Sequence, residues 1–177
     1  QVLKSVQLYQ RSYVHDFPWT FFRDEIARVI KGNGITKEED YLAIPRYGRK
    51  TALKRNARSA TWAIYEAYQQ KLQENKWIDW QDLSLIAYKE LFKLPLSEPY
   101  KYVIVDESQD LTSIQVRIAQ RLMKGKSTTN TSIFMVGDYS QTLYSRGFSW
   151  KQAGLQIQGR SFSLKRNFRN TRQIAET

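Results

Sequence analysis

The ten residues from Lys101 to Asp110, KYVIVDESQD, place an apolar run directly before two adjacent carboxylates. The run itself, YVIV at 102–105, is β-branched and aromatic, which is typical of a strand buried on both faces of a parallel sheet. Ligands of open α/β sheets bind at the carboxyl ends of such strands. The stretch therefore predicts an α/β fold in which Asp106 and Glu107 stand at the edge of a site.

An Asp-Glu pair at the end of a strand suits nucleotide hydrolysis and is the pattern known as Walker B. One acid can hold Mg²⁺, which keeps several waters and takes one or two carboxylates, while its neighbour orients or deprotonates an attacking water. The structural alternative is that Asp106 caps the strand and that Glu107 is a solvated loop acid. The rest of the sequence has to decide between these interpretations.

The composition indicates a polyanionic partner. The 177 residues include 28 Lys and Arg against 17 Asp and Glu, a net charge of +11, which favours nucleic acid first and an anionic membrane second over solubility alone. Eleven Tyr, 8 Phe and 5 Trp supply surfaces on which bases could stack. The chain has no cysteine and a single histidine, which excludes disulfides and thiolate metal sites and fits a reducing compartment.

The residue pattern changes near Trp77, from helical periodicity alone to alternating strands and helices. The elements predicted after this point are a helix from residue 79, a strand over 102–105, a helix from 112, a strand over 132–136, a helix over 149–157 and a strand over 161–164. We therefore expect an all-helical subdomain over residues 1–76 and part of a parallel α/β sheet over residues 77–177.

A basic cluster lies in the helical half, between Asp40 and Glu66, where no acid occurs. It consists of Arg46, Arg49, Lys50, Lys54, Arg55 and Arg58. One interpretation is a surface that contacts phosphates, with Arg46, Arg49 and Lys50 as DNA contacts. A solvated charged face is the alternative.

Polar residues also follow the second and third predicted strands. Asp138 ends the second, and Gln141 comes three residues later, where an amide that both donates and accepts could touch a terminal phosphate or its attacking water. Residues 166–169, RNFR, follow the third strand. An arginine brought from there to the same sheet edge could give a fork of hydrogen bonds to a γ-phosphate.

These segments together resemble the UvrD/Rep-like superfamily 1 helicases. VDESQD at 105–110 looks like their motif II, VGDYSQTLYSR at 136–146 like motif III and LKRNFRN at 164–170 like motif IV. The order and separations also fit. WQDL at 80–83 is similar to the helix that commonly precedes motif II, so the resemblance covers residues 77–177.

The resemblance implies a partial RecA-like core preceded by the helical insertion domain of this family, acting with ATP and Mg²⁺. The implied roles are Asp106 for Mg²⁺ through water, Glu107 as base, Gln141 as γ-phosphate sensor, Arg169 as arginine finger, and Tyr144 and Arg146 at single-stranded DNA. The implied activity is ATP-driven movement along DNA with 3′ to 5′ polarity, in a cytoplasmic protein associated with the nucleoid.

Two departures from the family pattern matter. Tyr144-Ser145-Arg146 is one residue shorter than the usual motif III and lacks its stacking aromatic, so Phe148 or Trp150 would supply the platform; each is otherwise an ordinary core aromatic. The sequence G-x-x-x-x-G-K-[ST] does not occur, and residues for the second RecA-like domain are lacking. We therefore expect an internal piece of a longer helicase, inactive by itself, whose partners include the missing P-loop and second domain of the same parent chain.

Two other functions stay open from the sequence. A non-catalytic module could bind single-stranded nucleic acid through the basic and aromatic residues. A nuclease could hold metal directly on Asp106, Glu107 and Asp138 and would cleave with Mg²⁺ or Mn²⁺ without a nucleotide. A nuclease of this kind would assign no role to Gln141 and Arg169.

Overall fold

The computed structural model describes residues 12–46, 51–93, 100–123, 133–138 and 148–164. Within these ranges the elements are α1 (Trp19–Asp24), a π-helix (Glu25–Lys31), α2 (Glu38–Ala43), α3 (Arg55–Glu74), α4 (Trp80–Lys93), β1 (Val103–Val105), a 3₁₀-helix (Ser108–Asp110), α5 (Ser113–Arg121) and β2 (Ile133–Met135). Helices alone precede β1 in the described part, and no described helix has the length and apolar character needed to cross a membrane.

The strands β1 and β2 are parallel neighbours, with Val103 opposite Ile133 and Val105 opposite Met135. The helix α5 connects them, so the predicted strand, helix and strand unit is confirmed. Parallel pairing of this kind requires a crossover, which a helix of this length can provide. The α/β class, as part of a RecA-like sheet, is therefore confirmed.

The prediction that β1 is buried on both faces is wrong for the described structure. Val103 and Val105 are half-buried, whereas Ile104 is 76% exposed, and its partner Phe134 on β2 is 63% exposed. Side chains alternate between the faces of a sheet, and the described elements cover one face. On that face Ile133 and Met135 of β2 pack on a cluster formed by Val116, Phe148, Ala153 and Leu155.

Two elements predicted after β2 are not present among the described residues. The helix predicted over 149–157 is reduced to turns, which close at Gly154 with φ +86° and a hydrogen bond from Leu155 N to Trp150 O of 2.9 Å. A left-handed glycine ends a helix because the following backbone leaves the helical path. The strand predicted over 161–164 is extended but lacks a paired strand among the described residues, and Phe162 and Leu164 there are 92% and 95% exposed.

The helical half has its own hydrophobic core, built from α1, the π-helix, α2 and α3. Its centre is a stacked pair, Tyr41 and Trp62, with ring centroids 5.9 Å apart. Val29 and Ile30 of the π-helix are fully buried beside them. The helical periodicity predicted before Trp77 is confirmed for the described residues, and the division at residue 77 stays a prediction.

Two predicted helix starts are confirmed by reciprocal hydrogen bonds. Thr112 and Gln115 form a capping box at the start of α5. Before α4, Asp82 N donates to Asp79 Oδ1 at 2.8 Å and Asp79 N donates to Asp82 Oδ2 at 3.0 Å. Both pairs satisfy backbone N–H groups that a helix leaves unpaired at its first turn.

Candidate nucleotide site at the strand ends

The acid pair lies directly after β1, and both residues are exposed. Glu107 adopts the left-handed conformation, with φ 50° and ψ 37°, which costs a residue with a side chain about 1 kcal/mol or more. Asp106 Oδ1 accepts a hydrogen bond from Glu107 N at 2.8 Å, which stabilises the turn. The chain then enters the 3₁₀-helix, so Asp106 and Glu107 form a sharp corner at the end of the strand.

The loop after β2 is joined to this corner by backbone hydrogen bonds. Val136 N donates to Val105 O at 2.8 Å, and Ser108 N donates to Val136 O at 2.8 Å. Gly137 then passes so close that a Cβ there would lie 2.6 Å from Gln109 Oε1 and 2.8 Å from Ser108 Oγ. The two strand ends therefore meet at one edge of the sheet, and only glycine fits the point of contact.

A buried amide connects the acid pair to the second loop. Gln109 is 4% exposed; its Nε2 donates to Glu107 Oε2 at 2.5 Å, and its Oε1 accepts from Asp138 N at 3.1 Å. The sequence pattern did not single out this residue. Only the left-handed turn at Glu107, which the pattern does not reveal, brings the amide back over the carboxylate.

Residues 24–159 match the model of the UvrD/REP helicase N-terminal domain. The chain belongs to this family. It is 34% identical over 129 residues to a probable DNA helicase II homolog of Mycoplasma capricolum, a match that covers 64% of the chain and 16% of that protein. It is 26% identical over 168 residues to the ATP-dependent DNA helicase SRS2 of Saccharomyces cerevisiae, a match that covers 90% of the chain and 13% of SRS2.

The chain thus spans less than a fifth of the length of these two curated relatives, 16% of one and 13% of the other. No solved structure matches significantly. The matched range includes VDESQD at 105–110 and VGDYSQTLYSR at 136–146.

Several residues predicted for the site lie outside the described residues. The resemblance implied roles for Gln141, Tyr144, Arg146 and Arg169, and the basic cluster suggested Arg49 and Lys50 as DNA contacts. All of these roles stay predictions. The described part brings together Asp106, Glu107 and the backbone of Asp138.

The two aromatics considered as a stacking platform differ in their surroundings. Phe148 is 2% exposed and packs against Val116, Ala153 and Leu155, so its ring presents no open face to a base and the core alternative describes it. Trp150 is half-buried and meets Phe148 edge to face, with centroids 5.8 Å apart and an angle of 89°. A stacking role for Phe148 is therefore not supported. For Trp150 it stays a prediction.

Arg46, predicted as a DNA contact, lies in a buried ion pair. Its Nε and Nη2 donate to the two carboxylate oxygens of Glu25 at 2.7 and 2.8 Å, and the Arg46 and Glu25 side chains are 5% and 0% exposed. Tyr41 OH donates to the same carboxylate at 3.0 Å. The guanidinium is thus already paired in a bidentate geometry. The sequence prediction failed here because Glu25 lies 21 residues away and only the fold brings it to Arg46.

The burial of this pair has an electrostatic consequence for Tyr41. Burial first, and then the nearby Glu25 carboxylate, raise the pKa of Tyr41 far above its ordinary value. The hydroxyl therefore keeps its proton and acts as a donor.

Arg58, from the same basic cluster, also has partners inside the fold. Its Nη1 donates to the carbonyls of Tyr41, Leu42 and Ile44 at 2.8 to 3.0 Å. These hydrogen bonds satisfy carbonyl groups at the end of α2.

The three acids at the strand ends do not form a direct metal site. Among the described residues, which include Asp106, Glu107 and Asp138, no group of three or more His, Cys, Asp or Glu is placed to hold a metal ion. Direct metal binding by these three carboxylates, as a nuclease would need, is therefore not supported. Mg²⁺ that keeps most of its waters needs only one or two carboxylates, and the exposed Asp106 fits that requirement.

Proposed function

We propose that the protein to which this chain contributes is an ATP-dependent DNA helicase that couples ATP hydrolysis to 3′ to 5′ movement on single-stranded DNA. The observation that carries the proposal is the joined corner of the sheet, where Asp106 and Glu107 follow β1 and hydrogen bonds connect them to the end of β2. Membership of the UvrD/REP helicase N-terminal domain family supports it. The names of the relatives, which include an ATP-dependent DNA helicase, agree.

In this proposal the two acids have separate roles. Asp106 would hold Mg²⁺ through water, and the bound ion would neutralise charge on the β- and γ-phosphates. Glu107 would accept the proton of the water that attacks the γ-phosphate. A general base must be oriented toward the proton that it accepts. The left-handed backbone at Glu107 and the hydrogen bond from the Gln109 amide fix the orientation of the Glu107 carboxylate.

The other proposed contacts complete the site. Gln141 would sense the γ-phosphate, and Arg169 would stabilise the charge that develops on it. Tyr144, Arg146 and Trp150 would meet single-stranded DNA by stacking and phosphate contacts. Since the chain carries no G-x-x-x-x-G-K-[ST] sequence, the phosphate cradle would come from elsewhere in the parent protein, and the 177-residue chain alone would be inactive.

The decisive experiment compares Glu107→Gln with wild type in the longer protein, by ATP hydrolysis in the presence of single-stranded DNA. We expect kcat to fall about 10²- to 10⁴-fold, as for loss of a general base, while ATP affinity stays within about threefold of wild type. The matched control is Glu74→Gln, because Glu74 lies at the end of α3 and pairs with Lys71 one turn away. Unchanged hydrolysis in Glu107→Gln would refute a catalytic function.

The net charge of +11 supports a second candidate, a module that binds single-stranded nucleic acid without catalysis. In both proposals the chain by itself binds single-stranded DNA, and the affinity falls steeply as salt rises because bound counterions are released. Titration at low and moderate salt measures this. The candidates separate on the Glu107→Gln result, since only a helicase loses hydrolysis.

A further inference from the structure

We infer that Gln109 is the positioning residue of the proposed base: its side-chain amide holds the Glu107 carboxylate and ties it to the loop that follows β2. This inference rests on the proposed function and adds a residue to it. Gln109 would not touch substrate. It would act through Glu107.

The two hydrogen bonds of the amide fix its orientation. Nε2 faces a carboxylate oxygen at 2.5 Å, which can only accept, and Oε1 faces the Asp138 N–H at 3.1 Å, which can only donate. Rotating the amide by half a turn would place oxygen against oxygen and N–H against N–H. A single orientation satisfies both partners, so the donor toward Glu107 is set by the backbone of Asp138.

The surroundings prevent the amide from leaving this position. Gln109 is 4% exposed, and a polar group withdrawn from its partners at such a site is costly because it cannot turn to water instead. Gly137 packs on the same amide oxygen, leaving too little room for a Cβ. Ser108 N and Val136 O are joined at 2.8 Å beside it.

A mechanical consequence follows for the base. Asp138 follows β2 by three residues, and Gln141, the proposed γ-phosphate sensor, comes three residues later in the sequence. If Asp138 N were displaced, Gln109 Oε1 would follow it. Gln109 Nε2, which orients the Glu107 carboxylate, would then move as well. Gln109 therefore couples the direction of the proposed base to the position of the loop that follows β2.

The first test uses Gln109→Met in the longer protein, since methionine has a similar unbranched shape but can make neither hydrogen bond. We expect kcat for DNA-stimulated ATP hydrolysis to fall about 10- to 100-fold, the usual size of losing a supporting hydrogen bond. ATP affinity, measured with a fluorescent nucleotide, should stay within about threefold. In a Glu107→Gln background the same change should cause no further loss, because the two residues act as one unit.

The second test uses Gln109→Glu, which keeps an oxygen for the Asp138 N–H but sets a second carboxyl against Glu107. At neutral pH the two carboxylates repel each other and kcat falls. At lower pH one proton on the introduced carboxyl restores a donor, so the ratio of variant to wild-type kcat should rise as pH falls. A ratio that does not change with pH would contradict the positioning role.

These results separate the two proposals. Loss of hydrolysis in Glu107→Gln, together with a kcat for Gln109→Met within about twofold of wild type, would overturn the positioning role and leave the helicase proposal intact. Full hydrolysis in Glu107→Gln would overturn both. If Gln109→Met fails to fold, the pH dependence of Gln109→Glu decides, because recovery supports the inference and a constant ratio overturns it.

Discussion

The ammonium group of Lys31, on a side chain that is 0% exposed, lies 2.6 Å from Asp79 Oδ2 and 2.7 Å from Asp82 Oδ1. Tyr68 OH also donates to Asp79 Oδ2 at 2.8 Å, and the Lys31 ammonium lies 5.1 Å from the Tyr68 ring centroid. This cluster joins the π-helix, α3 and the start of α4. Since α4 packs against α5, which follows the acidic corner, the cluster connects the helical half to the sheet.

Loss of this buried cation should be costly. Lys31→Met leaves two carboxylates with no counter-charge, and removal of one partner from a buried pair costs about 3–5 kcal/mol. We expect a loss of unfolding free energy at the lower end of that range, because Asp79 and Asp82 are partly exposed. Urea unfolding measures it. The control Lys71→Met, in an exposed pair with Glu74, should change stability by less than about 1 kcal/mol.

The same cluster predicts a dependence of stability on acid pH. Burial acts to raise the pKa of Asp79, but hydrogen bonds from Lys31, from the Asp82 N–H and from Tyr68 outweigh it and hold the pKa below its ordinary value. The unfolded chain therefore takes up this proton first as pH falls. The stabilising contribution is complete above the unfolded value of about 3.9 and is lost as pH falls below it, through the lower folded pKa.

Asp79→Asn should remove that contribution. We expect the difference in unfolding free energy between wild type and Asp79→Asn to shrink as pH is lowered from about 5 to about 2. Denaturant titrations at several pH values provide the measurement. Asp16→Asn is the control, since its carboxylate is 83% exposed. A constant difference across this pH window would contradict the assignment.

Arg46 should affect stability and leave DNA affinity unchanged. Arg46→Met leaves the Glu25 carboxylate, whose side chain is 0% exposed, without its counter-charge, at a cost of about 3–5 kcal/mol. The folded variant should bind single-stranded DNA within about twofold of wild type at matched salt, because the guanidinium is not available to phosphates. Fluorescence anisotropy under native conditions checks this. A larger loss of affinity with unchanged stability would restore the DNA-contact prediction.

Gly137 should be intolerant of any side chain. Gly137→Ala places a methyl 2.6 Å from Gln109 Oε1 and 2.8 Å from Ser108 Oγ, which displaces these two buried side chains at a cost of about 1–3 kcal/mol. Gly159→Ala is the comparison. It has open space and a φ of +72°, so it should cost only about 1 kcal/mol of backbone strain. Thermal unfolding of both variants ranks them, and equal losses would argue against the close approach.

The left-handed backbone of Glu107 predicts that its side chain contributes more to activity than to stability. Glu107→Gly relieves about 1 kcal/mol of strain at φ 50° but leaves the buried Gln109 Nε2 without its acceptor, which offsets the gain; the unfolding free energy should therefore change by less than about 1 kcal/mol, while the longer protein loses ATP hydrolysis. Lys76→Gly is the matched control, since Lys76 has φ 55° just after α3; it should gain about 0.5–1 kcal/mol and keep hydrolysis. Calorimetry and an ATPase assay give the two readouts.

The sequence alone predicted the parts of this protein that depend on local pattern. The run YVIV predicted a strand, the residues Thr112 and Asp79 predicted helix starts, and the order of the strand-end segments predicted the family. Such features depend on neighbours within a few residues, because capping and strand preference act over one turn or one pleat. They are therefore readable without a fold.

Only the tertiary structure decided what the polar side chains do. The basic residue Arg46 pairs with Glu25 and the fully buried Lys31 pairs with Asp79, across 21 and 48 residues, and Gln109 reaches Glu107 only because the backbone turns left-handed there. The exposure of Ile104 likewise depends on which elements pack against the sheet, and the strand pattern does not reveal them. A charge or an amide has no preferred partner in the sequence itself, and burial fixes that partner because an unpaired polar group inside the fold is costly.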